Sequence, residues 1–319
     1  MTARQRFLNA MPLLMLAGGC LIFAAQTSKF LEPRNLLNIV AQASSTGILT
    51  IGMTFVLLTA GVDLSVGAMM FVAAAIAGKM AVSGASLPLV LLTMLAVTLV
   101  FATFNGIFIV RVRVAAFIVT LAMLFVGRGL GLLITKTRAI NVPDAFLTLG
   151  SAQIVGIPLP AWIFFAALII GHVILTRTPF GRQIFAVGHN LEAARKAGIQ
   201  TSRILFTVYI ISGLCAAVAA MITLGQLGAV SPKFGEQREF AAIAAAVLGG
   251  TSLFGGRGNI LPGALVGSLL IQTIENGLVL INADPYLYPM VTSAVIFAAI
   301  LLESLRNRIK SAAPNFGHT

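Results

Sequence analysis

Asp63 and Ser65 in Gly-Val-Asp-Leu-Ser-Val-Gly-Ala (61–68), Asn105, Arg128, and the adjacent Glu275 and Asn276 are polar side chains set within or at the ends of long apolar runs. Such groups are cheapest where protein or water surrounds them, so together they suit a route for a polar solute through an apolar layer. They do not make a catalyst. Ser65 is no nucleophile elbow, because Asp63 stands where the first glycine is required. His172 and His189 lack ligand spacing, and Cys20 and Cys215 lie in separate apolar runs, so neither a metal site nor a disulfide nor a cofactor is expected. Gly-Gly-Arg-Gly-Asn (255–259) is not a nucleotide fingerprint, since Leu261 takes the place of the third glycine and no strand precedes it. Two readings stand for Asp63: a pathway group, or a cap on the following helix worth about 0.3 to 1 kcal/mol. Two stand for Arg128 as well. In mid-span it costs roughly 2.5 to 3.5 kcal/mol and must face protein or water, with Glu275 its natural counterpart; near a helix end it snorkels to the surface.

Arg177 to Arg203 is the one long polar break, with Arg177, Arg182, Arg195, Lys196 and Arg203 against a single acid, Glu192. Its basic charge places it on the cytoplasmic side. Pro179 and Gly181 predict a turn, and Gly188, His189 and Asn190 a second. Asn190 then caps a short helix, Leu-Glu-Ala-Ala-Arg-Lys-Ala, that Gly198 ends. A short capped helix in such a loop is a shape that another protein can grip.

These features are positioned by helices of membrane length. Hydrophobic residues make up 58% of the chain and charged residues 9%, against roughly 25% charged in soluble domains. The net charge of +12 is spread between apolar runs without interleaved aromatics, which excludes nucleic acid as the partner and points to membrane lipid. The uncharged runs predict an all-α polytopic membrane protein with about ten transmembrane helices, forming one domain over 1–319 with 177–203 as its cytoplasmic loop. With both termini inside, Arg4, Arg6, Arg111, Arg113, the loop bases, Arg257, Arg306, Arg308 and Lys310 fall on the inner side. Only Lys29, Arg34, Lys79, Lys136, Arg138, Lys233 and Arg238 fall outside. Ser231 to Glu239 is read as an external excursion, and Tyr286 to Leu302 as the last span.

Glu192, Ala193, Ala194 and Gly198 resemble the Glu-Ala-Ala, three residues, Gly pattern in the cytoplasmic loop of permease subunits of bacterial ABC importers. Gly61 to Ala68, Glu239 to Asn259 and Glu275 to Leu278 look like signatures of the branch that serves ribose and related monosaccharides, itself related to the branched-chain amino acid permeases. The resemblance implies a plasma-membrane (inner-membrane) permease subunit with no ATPase activity of its own. Its partners would be a separate ATP-binding subunit, a second permease copy or paralogue, and an external sugar-binding protein. Carried onto this chain, the ATPase contact falls on Gly181, Arg182, Gly188, Asn190, Glu192, Ala193, Ala194 and Gly198. The chain departs from the branch at Ala241, where Asp is common, and at Glu275, where an uncharged residue is common. A permease for another small solute such as a branched-chain amino acid, or an ion-coupled secondary transporter relying on Glu275, are the rival readings.

Overall fold

The computed structural model describes residues 3–284 together with 286–288, 290, 291, 293–295, 297, 298 and 301, and side chains from residue 11 onward. The last span expected from the sequence is thus described only in part, and the tail bearing Arg306, Arg308 and Lys310 lies outside the described residues. The helices are α1 (Ala3–Gln26), α2 (Pro33–Leu58), α3 (Val66–Val82), α4 (Leu87–Ile107), α5 (Ala116–Thr135), the single turn α6 (Thr148–Ser151), α7 (Leu159–Arg177), α8 (Pro179–His189), α9 (Leu191–Lys196), α10 (Thr201–Leu227), α11 (Arg238–Leu248) and α12 (Leu265–Leu280). Among the described residues, four two-residue strands form two antiparallel pairs: β1 (Ile140–Asn141) with β4 (Ala229–Val230), and β2 (Gln153–Ile154) with β3 (Ile157–Pro158).

Six helical segments among the described residues are long and apolar enough to cross a membrane, and the apolar part of α1 and α3 are shorter. About ten spans were expected, and α11 is the clearest departure: its 11 residues reach about 16 Å, roughly half of a hydrocarbon core of about 30 Å. Leu92 and Val100 of α4, Phe125 and Leu133 of α5, and Ile169 and Ile170 of α7 turn outward, as lipid-facing surfaces do, whereas α2 is buried along most of its length.

The chain folds as two interleaved halves. The long helix α2 packs on α10, α11 and α12, while its counterpart α10 packs on α2, α3 and α4. Each long helix is followed by an irregular break, 59–65 or 231–237, and then by a shorter helix. The starts of the two shorter helices meet: Gly67 of α3 lies against the Gly235 carbonyl and the Glu239 carboxylate, an approach that any Cβ at residue 67 would block. Gly78, near the other end of α3, lies against Ile140 and Val230. Gly67 and Gly78 are about 16 Å apart along the helix, so the chain between Val230 and Gly235 turns back into the bundle. The segment read as an external excursion, Ser231 to Glu239, is therefore packed against the start of α3 along part of its length. Phe234 and Glu239 are buried, and the exposed side chains of Glu236 and Gln237 line a partly open cavity.

Candidate functional site

The break after α2 holds the first cluster. Asp63 is completely buried. Its Oδ1 accepts the Ser65 hydroxyl at 2.6 Å and the Ser65 amide at 3.0 Å, and its Oδ2 accepts the Ser212 hydroxyl of α10 at 2.8 Å. Asn105 of α4 donates to Ser65 Oγ at 2.8 Å. The carboxylate therefore does not cap α3 in the expected way. Ser65 occupies the cap position with no side-chain cap bond, and Asp63 closes a turn one step earlier. The Val62 carbonyl beside it accepts from Thr120 of α5 at 3.2 Å and Tyr209 of α10 at 3.4 Å. Asp63, Ser65 and Asn105, expected from the sequence, are thus brought together, and Ser212 joins them. A lone serine beside Gly213 in an apolar run was its only signal.

Arg128 of α5 does not have Glu275 as its counterpart. Its Nη1 donates to the Phe234 carbonyl at 2.8 Å, its guanidinium lies 5.5 Å from the centre of the Phe71 ring, and the charges nearest it are Glu239 and Glu236. Packing explains the difference: α5 lies on α3 and α4, whereas α12, which carries Glu275, lies on α1, α2 and α11. Arg128 therefore pins the segment 231–237 to α5. A hydrogen bond from a charged donor contributes about 1.5 to 3 kcal/mol, so Arg128→Leu is expected to speed trypsin cleavage at the exposed Lys233 severalfold at an unchanged membrane level. Wild-type cleavage and melting temperature in that variant would remove Arg128 from this role.

A cavity of about 830 Å³ lies between α2, the start of α11 and α12, with Tyr288, Ser293 and Phe297 beyond α12 completing its lining. Asn35 and Asn276 exchange two hydrogen bonds of 3.0 Å across its edge and clasp α2 to α12. Next to them Gln272 Nε2 donates to Gln42 Oε1 at 2.9 Å, and Gln42 Nε2 to Asn38 Oδ1 at 3.0 Å. Arg238 Nη1 is held by Thr46 of α2 at 3.0 Å. Both positions at which the sequence departs from the monosaccharide branch, Ala241 and Glu275, line this cavity. Among the described residues no group of three or more His, Cys, Asp or Glu could hold a metal ion.

The opposite end of α2 meets the central loop. Pro179 and Gly181 do not form a turn between helices; they start α8, with Thr178 Oγ1 accepting the Gly181 amide at 3.2 Å and Pro179 in the first turn. Gly181 lies against the Leu175 carbonyl, and Gly188 against the Leu58 carbonyl at the end of α2, so both bring α8 onto the bundle. Asn190 caps α9, its Oδ1 accepting the Ala193 amide at 2.9 Å, and Gly198 ends the segment at φ 81°. Glu192, Ala193 and Arg182 are exposed, but Ala194 is buried in the chain's own core. Two of the residues expected at an ATPase contact thus serve backbone packing, and a third faces inward. The glycine-rich loop between α11 and α12 joins the same junction. Gly256 N–H bonds the Leu58 carbonyl at 3.0 Å, Gly255 packs on Gly188 and Ala60, and Gly256 on the His189 ring.

The family model for the permease component of branched-chain amino acid transport systems matches residues 35–301. The chain is 40% identical over 286 residues to the ribose import permease protein RbsC of Bacillus subtilis, covering 89% of this chain and 88% of that protein. It is 38% identical over 280 residues to the galactofuranose transporter permease protein YtfT of Escherichia coli, with 87% and 81% covered. It is 31% identical over 342 aligned positions to the xylose transport system permease protein XylH of Escherichia coli, with 88% and 87% covered. No solved structure matches the chain. Outward-facing apolar helices, buried polar clusters and a match running from the start of α2 to the last described residue agree, and the chain belongs to the family of permease components of branched-chain amino acid transport systems, as a multi-pass membrane transport subunit.

Proposed function

We propose that this permease carries a monosaccharide inward across the plasma membrane, driven by a separate ATPase subunit that engages α9 and supplied by an external binding protein, with a second permease subunit completing the pathway. Both termini and the 177–203 loop are inside in this reading, and α1, α3, α11 and the last span raise the traverses and half-traverses from six to about ten. The observation that carries it is α9 itself: a capped helix whose Ala194 is anchored in the bundle while Glu192 and Ala193 stay exposed. Through Gly188 and Gly256, a push on α8 and α9 reaches the end of α2 and the α11–α12 loop together. The ribose, galactofuranose and xylose named for the relatives favour a sugar over a branched-chain amino acid. The cavity agrees in its charge balance, because Glu236 and Glu275 in its lining outnumber Arg238 and so oppose a further carboxylate.

Vesicles holding the permease, its ATPase and the loaded binding protein test this. ATP-dependent accumulation of radiolabelled D-ribose, D-xylose or D-galactose is expected, with none of L-leucine. Accumulation of leucine alone, or sugar uptake driven by an ion gradient without ATP, would overturn it.

A further inference from the structure

We infer that the cavity between α2, α11 and α12 is a recognition subsite for a neutral polyhydroxylated solute, read by Glu275 and by the Gln42–Gln272 pair; this rests on the sugar-import reading above. Its polar lining divides into committed and uncommitted groups. Asn35 and Asn276 satisfy each other and shape a wall, while Arg238 is anchored to Thr46 through Nη1 and keeps its remaining N–H groups. The Asn38–Gln42–Gln272 relay is different. Each bond runs from Gln272 toward Asn38, which uses the Gln272 amide and the Asn38 carbonyl oxygen. Among the described residues, the Asn38 amide at one end and the Gln272 carbonyl oxygen at the other have no partner, a donor and an acceptor on one ladder. Glu275, three residues beyond Gln272, projects from the same face of α12 and adds two acceptor oxygens.

A sugar hydroxyl both donates and accepts, and neighbouring hydroxyls match the paired atoms of a carboxamide or carboxylate. Glu236 and Glu275 outnumber Arg238 in the lining, which disfavours an anion. Phe240 and Tyr288 supply apolar faces for the C–H side of a ring, and the cavity volume of about 830 Å³ is within the range of about 300 to 1,000 Å³ for small-molecule sites. Ala241, opposite, adds no competing polar group. Glu275 and the glutamine pair are therefore specificity-determining groups, and the Gln272–Gln42 bond also joins α12 to α2.

The test uses vesicles with the full chain, its ATPase and the binding protein, comparing wild type with Glu275→Leu, Gln272→Leu and Glu275→Gln. Uptake of D-ribose and D-xylose is measured separately, alongside membrane level and ATP hydrolysis stimulated by loaded binding protein. Each leucine variant is expected to lower uptake about tenfold with hydrolysis still stimulated, because a hydroxyl bonded in the wild type is left unpaired. Glu275→Gln, which still bonds hydroxyls, is expected to transport while shifting the ribose-to-xylose ratio. Wild-type uptake and ratio in all three variants would overturn the subsite and leave the import reading intact. So would an equal loss for both sugars with an unchanged ratio in Glu275→Gln, which marks a structural wall. If the leucine variants fail to reach the membrane, the ratio in Glu275→Gln decides alone. Wild-type vesicles that take up neither sugar overturn the import reading and the subsite with it.

Discussion

Asp63→Ala is expected to leave too little folded permease to transport at all. The substitution strips the acceptor from the Ser65 hydroxyl, the Ser65 amide and the Ser212 hydroxyl, all in a site with no access to water. Each orphaned buried donor costs about 1 to 3 kcal/mol, and Asn105, which leans on Ser65, loses its fixed partner as well. Asp63→Asn keeps one acceptor oxygen and should fall between the two. Membrane levels by immunoblot and melting temperature in detergent separate the variants. An Asp63→Ala protein that melts with the wild type and is present at the same level would show that the carboxylate does not hold α3, α4 and α10 together.

Tryptophan at two adjacent alanines should fail in opposite ways. Ala193 is exposed on α9, so Ala193→Trp is expected to leave the permease folded but to release the ATPase during mild-detergent purification, abolishing ATP-driven uptake. Ala194 is buried against the bundle, where overpacking costs about 1 to 3 kcal/mol or more, so Ala194→Trp should lower the permease's own melting temperature first. Gly198→Val meets no neighbour, and its cost is purely that of φ 81°, about 1 to 2 kcal/mol; the end of α9 shifts without loss of the bundle. Normal co-purification and uptake for Ala193→Trp would make α9 a connector only.

The long helices were legible because an uncharged run of about twenty residues has few other uses. Ala161 to Thr176 read as a short span and is α7, three residues longer, since Pro160 is tolerated in a first turn. What sequence could not separate was a loop standing off the bundle from one packed onto it: Lys233, Glu236 and Glu239 carry the same charges in either case, and the contacts of Gly235 with Gly67 and of Phe234 with Arg128 distinguish them. Arg128 was matched with Glu275 because opposite charges at depth must be compensated, yet the Phe234 carbonyl, the Phe71 ring and the nearby Glu239 and Glu236 compensate it instead. In the loop, Pro179, Gly181 and Gly188 signalled breaks, although all three lie within one helix. Proline is harmless at its start, and the glycines are there for close approach to neighbouring carbonyls.

The interleaving of the halves also sets a timetable for biosynthesis. Asp63 leaves the ribosome 149 residues ahead of Ser212, which at about 5 to 20 residues per second is roughly 7 to 30 s. Throughout that interval α2 and α3 are in the bilayer with one carboxylate oxygen lacking its α10 donor and with the α2 clasp to Asn276 still unmade. The first half is therefore a waiting partner rather than an independent folding unit. Its polar groups must be sheltered by water, by the insertion machinery or by one another until the second half is delivered.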